Sequence, residues 1–163
     1  MPTFAMPAHS AEETVCTRAV LPAPPPRVWR TLLFYEQVDE PAPWWLRVLL
    51  PTPTSLAGSK SAVGDEAMCH YTAGHLKKRV TAIESERRYE FEVAEQQLHV
   101  RGVALQGGHY ELRAHEGGRT LVEAATRYHS PLWPRWLFRP IERFVCHRFH
   151  RFLFGAMQRR LSS

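Results

Sequence analysis

The chain has 163 residues and a mass of 18.8 kDa, a length at which one domain is the rule and roughly 70% of the unfolded surface is buried on folding. With 44% apolar and 23% charged residues, the composition excludes a disordered chain, a collagen-like repeat and a disulfide-rich scaffold. The net charge of +5 is confined to residues 131–163, where seven arginines face the single acid Glu142, while the preceding residues carry 14 basic against 15 acidic groups. A nucleic-acid binder is disfavoured, because that charge lies on an element needed to close the core and no base-reading motif accompanies it.

Residues 1–12 lack periodicity and read as a flexible N-terminal tail ahead of a single domain over 13–161. The opening MPTFAMPAHSAEE has neither the basic end nor the apolar stretch of a signal peptide. Cys16, Cys69 and Cys146 are odd in number and widely spaced, which suits a reducing compartment. The expected location is therefore cytoplasmic, with a peripheral membrane contact as the alternative.

The spacing predicts a first strand over 14–20, a helix after Pro26 with Val28, Leu32 and Tyr35 at helical intervals, and a second short helix within 44–50 between prolines. After a loop over 58–64, alternation predicts six strands at 65–72, 75–83, 88–94, 97–104, 109–115 and 120–128. The segment 135–161 reads as one long helix bent at Pro140. Its apolar arc is Ile141, Phe144, Val145, Phe149, Phe152, Leu153 and Ala156, with Arg143, His147, His150 and Gln158 outside it. For the last hairpin a five-residue loop over 116–120 is expected, setting Arg113 against Glu123, because a three-residue loop would oppose Glu111 and Glu123.

An antiparallel sheet with one apolar face needs a cover, and the terminal helix can provide it. The motifs Pro25-Pro26-Arg27-Val28-Trp29 before a helix, Gly64-Asp65 opening a strand, Arg79-Val80-Thr81 followed by Arg87-Arg88-Tyr89-Glu90-Phe91, and the closing long helix resemble the SRPBCC superfamily over about residues 13–161. That group includes START lipid-transfer, pollen-allergen-like and polyketide cyclase/dehydratase-like proteins. The resemblance implies an α+β helix-grip fold: a curved seven-stranded antiparallel sheet wrapped around the terminal helix, with an apolar cavity for a lipid, sterol or polyketide-like guest. It implies no shared catalytic motif.

The expected guest-binding residues are Met68 and His70 on one strand, Phe91, Val93, Tyr110, Leu112, Ala124, Thr126 and Tyr128 on later strands, and Val145, Arg148, Phe149 and Phe152 on the helix. Apolar walls with a few orienting polar groups suit a hydrophobic guest, and a filled core with satisfied hydroxyls is the competing reading. Arg148 falls inside the apolar arc, either as an anchor for a guest carboxylate or enolate or as a snorkelling side chain. Carrier and cyclase/dehydratase-like enzyme both remain open, the former preferred.

Trp44, Trp45, Trp133 and Trp136 lie beside arginines and prolines, the composition of a membrane or partner rim or of an internal lid. Cys146, His147 and His150 lack a fourth donor for zinc, so no metal is expected. Ala57-Gly58-Ser59-Lys60-Ser61 lacks the glycines of a phosphate loop, and no cofactor is expected. Oligomeric state is not readable.

Overall fold

The computed structural model describes residues 11–32, 42–49, 53–72, 74–98 and 101–163. The elements in chain order are β1 (Ala11–Leu21), α1 (Pro25–Leu32), α2 (Trp44–Leu49), β2 (Pro53–Gly58), β3 (Glu66–Tyr71), β4 (Gly74–Glu84), β5 (Arg88–Leu98), β6 (Ala104–His115), β7 (Arg119–Ser130) and α3 (Arg135–Ser162). The strands form one antiparallel sheet in the order β1-β7-β6-β5-β4-β3-β2. This is the expected helix-grip arrangement, with seven curved strands, two short helices after the first and a long terminal helix.

Alternation decides which side chains face the helix. In β1, Glu13, Val15 and Thr17 are buried while Glu12, Thr14, Cys16 and Arg18 are exposed. Pairing carries the same face across the sheet: Thr17 opposes Ala124, Ala124 opposes Tyr110, and Tyr110 opposes Tyr89. Val28, Trp29 and Leu32 of α1 and Leu153, Phe154, Met157 and Leu161 of α3 close the core at one end against Val80, Tyr89, Tyr110, Leu112 and Val122. Trp29 meets Tyr89 edge-on at 6.4 Å. A smaller cluster, Cys69, Leu76 and Leu98, continues the inner face toward the other end.

The strand assignments need two corrections. No strand was expected over 53–58; β2 is an edge strand whose proline stands at the first position, where no ladder donor is required. The expected separate strand at 97–104 does not exist. β5 runs on to Leu98, and a turn containing Arg101 and Gly102, both at positive φ, leads into β6. A bulge hides this continuity: Lys77 opposes Glu95 and Lys78 opposes Val93, so Ala94 is skipped and the inward side chains change from odd to even numbers. Gln96 then seals the turn, donating to the carbonyls of Leu98 and Val103 and accepting from the Leu105 amide.

The last hairpin also departs from expectation. His115 pairs with Arg119, leaving a three-residue loop, and Glu111 stands directly opposite Glu123. Gly117 and Gly118, at φ 72° and 68°, supply the left-handed conformations that such a tight connection uses. β1 begins at Ala11, two residues ahead of the expected domain boundary.

Helix α3 runs unbroken through Pro140. Its buried stripe is Cys146, His150, Leu153, Met157 and Leu161, spaced at helical intervals, with Cys146 partly covered and the others buried. The expected arc was rotated away from this stripe: Ile141 and Phe144 are 50% and 54% exposed, and His150 is 2% exposed. Apolar side chains occur around most of the helix, so periodicity alone left the choice of face open. Polar complementarity with β1 and β7 made it.

Candidate functional site

The inner face of β5, β6 and β7 gives an aromatic floor beneath α3. Phe91 and Tyr110 stack with centroids 6.4 Å apart and planes at 28°, because both face inward on adjacent strands. Gly108 opposes Phe91, and the ring has room there because glycine carries no Cβ: one at this position would lie 3.2 Å from the ring tip and 2.2 Å from the Ala125 carbonyl oxygen. Leu112 and Ala124 belong to the core at 3% and 1% exposure. Val93, Val145, Phe149 and Phe152 are half-buried, with the last two packed against the core.

Lys78 was missed in the sequence. It sits between Leu76 and Val80 on the inner face of β4, is buried, and holds its Nζ 4.6 Å from the centre of the Phe91 ring. The signal was available, since Leu76 and Val80 are each two residues away; the run Lys77-Lys78-Arg79 drew the segment toward a solvent reading.

Two polar networks fasten α3 to the sheet. In the first, His150 Nδ1 lies 2.7 Å from Thr17 Oγ1 and Nε2 lies 2.7 Å from Thr126 Oγ1, while the same Thr17 oxygen is 2.7 Å from His147 Nδ1. Burial, reinforced by the neighbouring His147, pushes His150 down to about 4, so the ring is neutral near pH 7. Burial likewise pushes the Cys146 thiol, 3.8 Å from His150 Nε2, up to about 11, which makes it a poor nucleophile.

In the second network Arg135 donates a two-pronged pair of hydrogen bonds, each 2.9 Å, to Glu142. Glu142 also accepts from Ser130 at 2.5 Å and Tyr128 at 3.2 Å. Arg135 and Arg139 both donate to Glu13 at the start of β1. Burial raises the Glu142 carboxyl, but the bonds from Arg135 and Ser130 outweigh it and hold the group below the ordinary carboxylate range. Burial and then the adjacent Glu142 raise the Tyr128 phenol.

The expected guest-binding set is therefore divided. Phe91, Val93, Tyr110, Leu112 and Ala124 share the inner face, with Val145, Phe149 and Phe152 on α3. Thr126 and Tyr128 face inward too, but their hydroxyls are engaged by His150 and Glu142. Met68 and His70 lie on the outer face, opposite to the buried Ala67 and Cys69 of the same strand; the strand's alternation was read in the wrong phase. Arg148 is exposed, its guanidinium 5.9 Å from the Trp45 ring centre and 5.4 Å from that of Phe144. Its expected place in the core-facing arc is corrected by the rotation of α3. Trp44, Trp133 and Trp136 are 71%, 71% and 78% exposed, and Trp45 is half-buried.

The outer face is a ladder of ion pairs. His109, Glu111 and Glu123 bring three possible metal-donor atoms within 4.8 Å of one another, but Arg18, Arg88 and Arg113 already neutralise these carboxylates. In the loop after β2, Asp65 accepts hydrogen bonds from the Ser59 hydroxyl and the amides of Ser61 and Ala62. Its carboxylate thus takes the amides a phosphate would need.

No protein-family model matches this chain, and no curated protein sequence does. Solved structures match over nearly the whole length. Norcoclaurine synthase from Thalictrum flavum, solved in complex with dopamine and hydroxybenzaldehyde, superposes with a TM-score of 0.62 at 11% identity, over 93% of this chain and 87% of that one. Protein MLL2253 from Mesorhizobium loti gives 0.61 at 18% identity, covering 92% and 97%. Ara h 8.0201 gives 0.60 at 14% identity, covering 94% and 100%. With the strand order and the long terminal helix, these likenesses show that the chain has the same helix-grip fold as these proteins.

Proposed function

We propose that this protein binds a hydrophobic small molecule, with an aromatic or lipid-like apolar body, between the inner sheet face and α3. The observation that carries this reading is the asymmetry of the helix. One side of α3 is tied to β1 and β7 by His150 and Glu142, while Val145, Phe149 and Phe152 stay half-buried, the last two packed against the core that contains Phe91 and Tyr110. Guest contact would come from Phe91, Val93, Tyr110, Val145, Phe149 and Phe152, and the Lys78 ammonium over the Phe91 ring would put a positive charge beside a guest seated on that ring. A protein of the same fold binding two small aromatic molecules supports this choice of guest class.

Carriage or sequestration is preferred over turnover. Among the inner hydroxyls, those of Thr126 and Tyr128 are committed to α3, and neutral His150 is contacted on both ring nitrogens, which leaves these groups badly placed as acids or bases. The rival reading is a cyclase/dehydratase-like enzyme acting on the same kind of guest.

Native mass spectrometry of the freshly purified protein should reveal a co-purified guest. Titration with 1-anilinonaphthalene-8-sulfonate should give saturable binding that weakens at least about tenfold in Phe149→Asp, for which a charge faces the apolar guest. Absence of any bound mass together with non-saturable dye uptake would overturn the reading. Turnover of a co-purified guest, lost in a Lys78→Met variant that still binds it, would favour the enzyme instead.

A further inference from the structure

We propose that α2 and the first half of α3 form a docking face for an anionic lipid bilayer. Exposed large apolar side chains are concentrated there: Trp44 and Val48 on α2, 71% and 72% exposed, and Trp136, Leu137, Ile141 and Phe144 on α3. Among the described residues only Val20 and Val63 are comparably exposed elsewhere, apart from Trp133 just before α3. A water-soluble surface seldom gathers such a patch without something to cover it.

The arrangement along α3 identifies the cover. Leu137, Ile141, Phe144, Arg148 and Arg151 follow one another at intervals of four, three, four and three residues, so one helix face changes from apolar to basic along its length. Arg148 lies against both Phe144 and Trp45, which joins this stripe to α2. Arg47, Arg148 and Arg151 are exposed and have no carboxylate partner among the described residues, unlike Arg135 and Arg139. A surface that combines exposed Trp, Phe and Ile with arginines lacking a carboxylate partner among the described residues matches an interface with hydrocarbon below and anionic headgroups around it. The half-buried Trp45 supports Arg148; Trp44 and Trp136 are the aromatic side chains that insert.

The test is sedimentation with phosphatidylcholine vesicles, with and without phosphatidylglycerol. Each arginine near an anionic leaflet strengthens association about fivefold, so anionic vesicles should bind the protein more than about tenfold better than neutral ones. High salt should weaken that binding, because the screening length falls from about 10 Å at 0.1 M to about 3 Å at 1 M. Ile141→Ser/Phe144→Ser and Arg47→Gln/Arg151→Gln should each reduce binding at least about fivefold with unchanged thermal melts, and brominated lipid should quench tryptophan emission less in Trp44→Phe/Trp136→Phe. No sedimentation with anionic vesicles at low salt overturns the proposal, as does equal, salt-independent binding to neutral ones. A concentration-dependent dimer abolished by Ile141→Ser, without vesicle binding, assigns the face to a second copy and also overturns it. The proposal stands apart from the guest-binding reading, since dye uptake can fail while vesicle binding succeeds, and the reverse.

Discussion

Glu111 and Glu123 face each other directly across β6 and β7, and the sheet accepts this like-charge pair because each carboxylate is met from the side. Arg18 reaches Glu123 at 2.6 Å with His109 at 3.6 Å, and Arg113 reaches Glu111 at 2.7 Å with Arg88 at 3.6 Å. The hydrogen bond from Arg18 is the main reason the Glu123 carboxyl lies below its ordinary value. Repulsion between the opposed residues is thus offset by Arg113 on β6 itself and by Arg18 on β1 and Arg88 on β5, the last two of which a two-strand argument leaves out.

Removing Arg18 should expose that repulsion. Arg18→Ala is expected to lower the urea midpoint at low salt, and Arg18→Ala/Glu123→Gln should recover most of the loss. An unchanged midpoint in the single variant would show that the opposed glutamates do not repel appreciably.

His150 should make the protein acid-sensitive before its carboxylates titrate fully. Its folded-state value of about 4 lies below the unfolded 6.5, so its contribution is complete above pH 6.5 and is lost as pH falls toward 4, on the order of 3 kcal/mol in total. Unfolding free energies across that window should fall as pH decreases, and His150→Gln should flatten the slope. An equal slope in the variant would place the sensitivity elsewhere.

The Glu142 network should behave as a unit. Glu142→Gln leaves Arg135 without its two-pronged partner and weakens the acceptor for Ser130 and Tyr128, which should cost about 1–3 kcal/mol in chemical denaturation. Because the carboxyl is held below its ordinary value, this contribution persists in mild acid and disappears only as pH falls through the depressed value. A cost near zero would mean that water replaces the carboxylate.

Two glycines should respond in opposite directions to alanine. Gly108→Ala drives a methyl into the Ala125 carbonyl at 2.2 Å and toward Phe91, and should destabilise by about 1–3 kcal/mol. Gly155→Ala within α3 meets only the movable end of Arg159 at 3.4 Å and should stabilise by about 0.5–1 kcal/mol. Thermal melts of the two variants decide the matter directly; equal shifts would contradict the packing described.

Arg148→Met should change unfolding free energy by less than about 0.5 kcal/mol, because the arginine is exposed and stacks on rings without a buried partner. Dye affinity should also be unchanged. A tenfold loss of affinity would return Arg148 to a guest-anchoring role.

The sequence alone determined the succession of a strand, two short helices, further strands and a long covering helix, though not the bounds of every strand, because amphipathic alternation depends on periods of two and 3.6 residues within each segment. Tyr89, Phe91, Tyr110, Leu112 and Ala124 were legible as one inner face for that reason. Tertiary structure decided what depends on partners distant in the chain: which side of α3 faces inward, fixed by Thr17 and Thr126 meeting His150; the inward place of Lys78; and the outward place of Met68 and His70. It also set the bulge that carries β5 past Ala94 and the hairpin register that opposes two glutamates. Local periodicity fixes how a side chain alternates, but the phase and the neighbours follow from contacts between strands and helix, which the linear pattern does not contain.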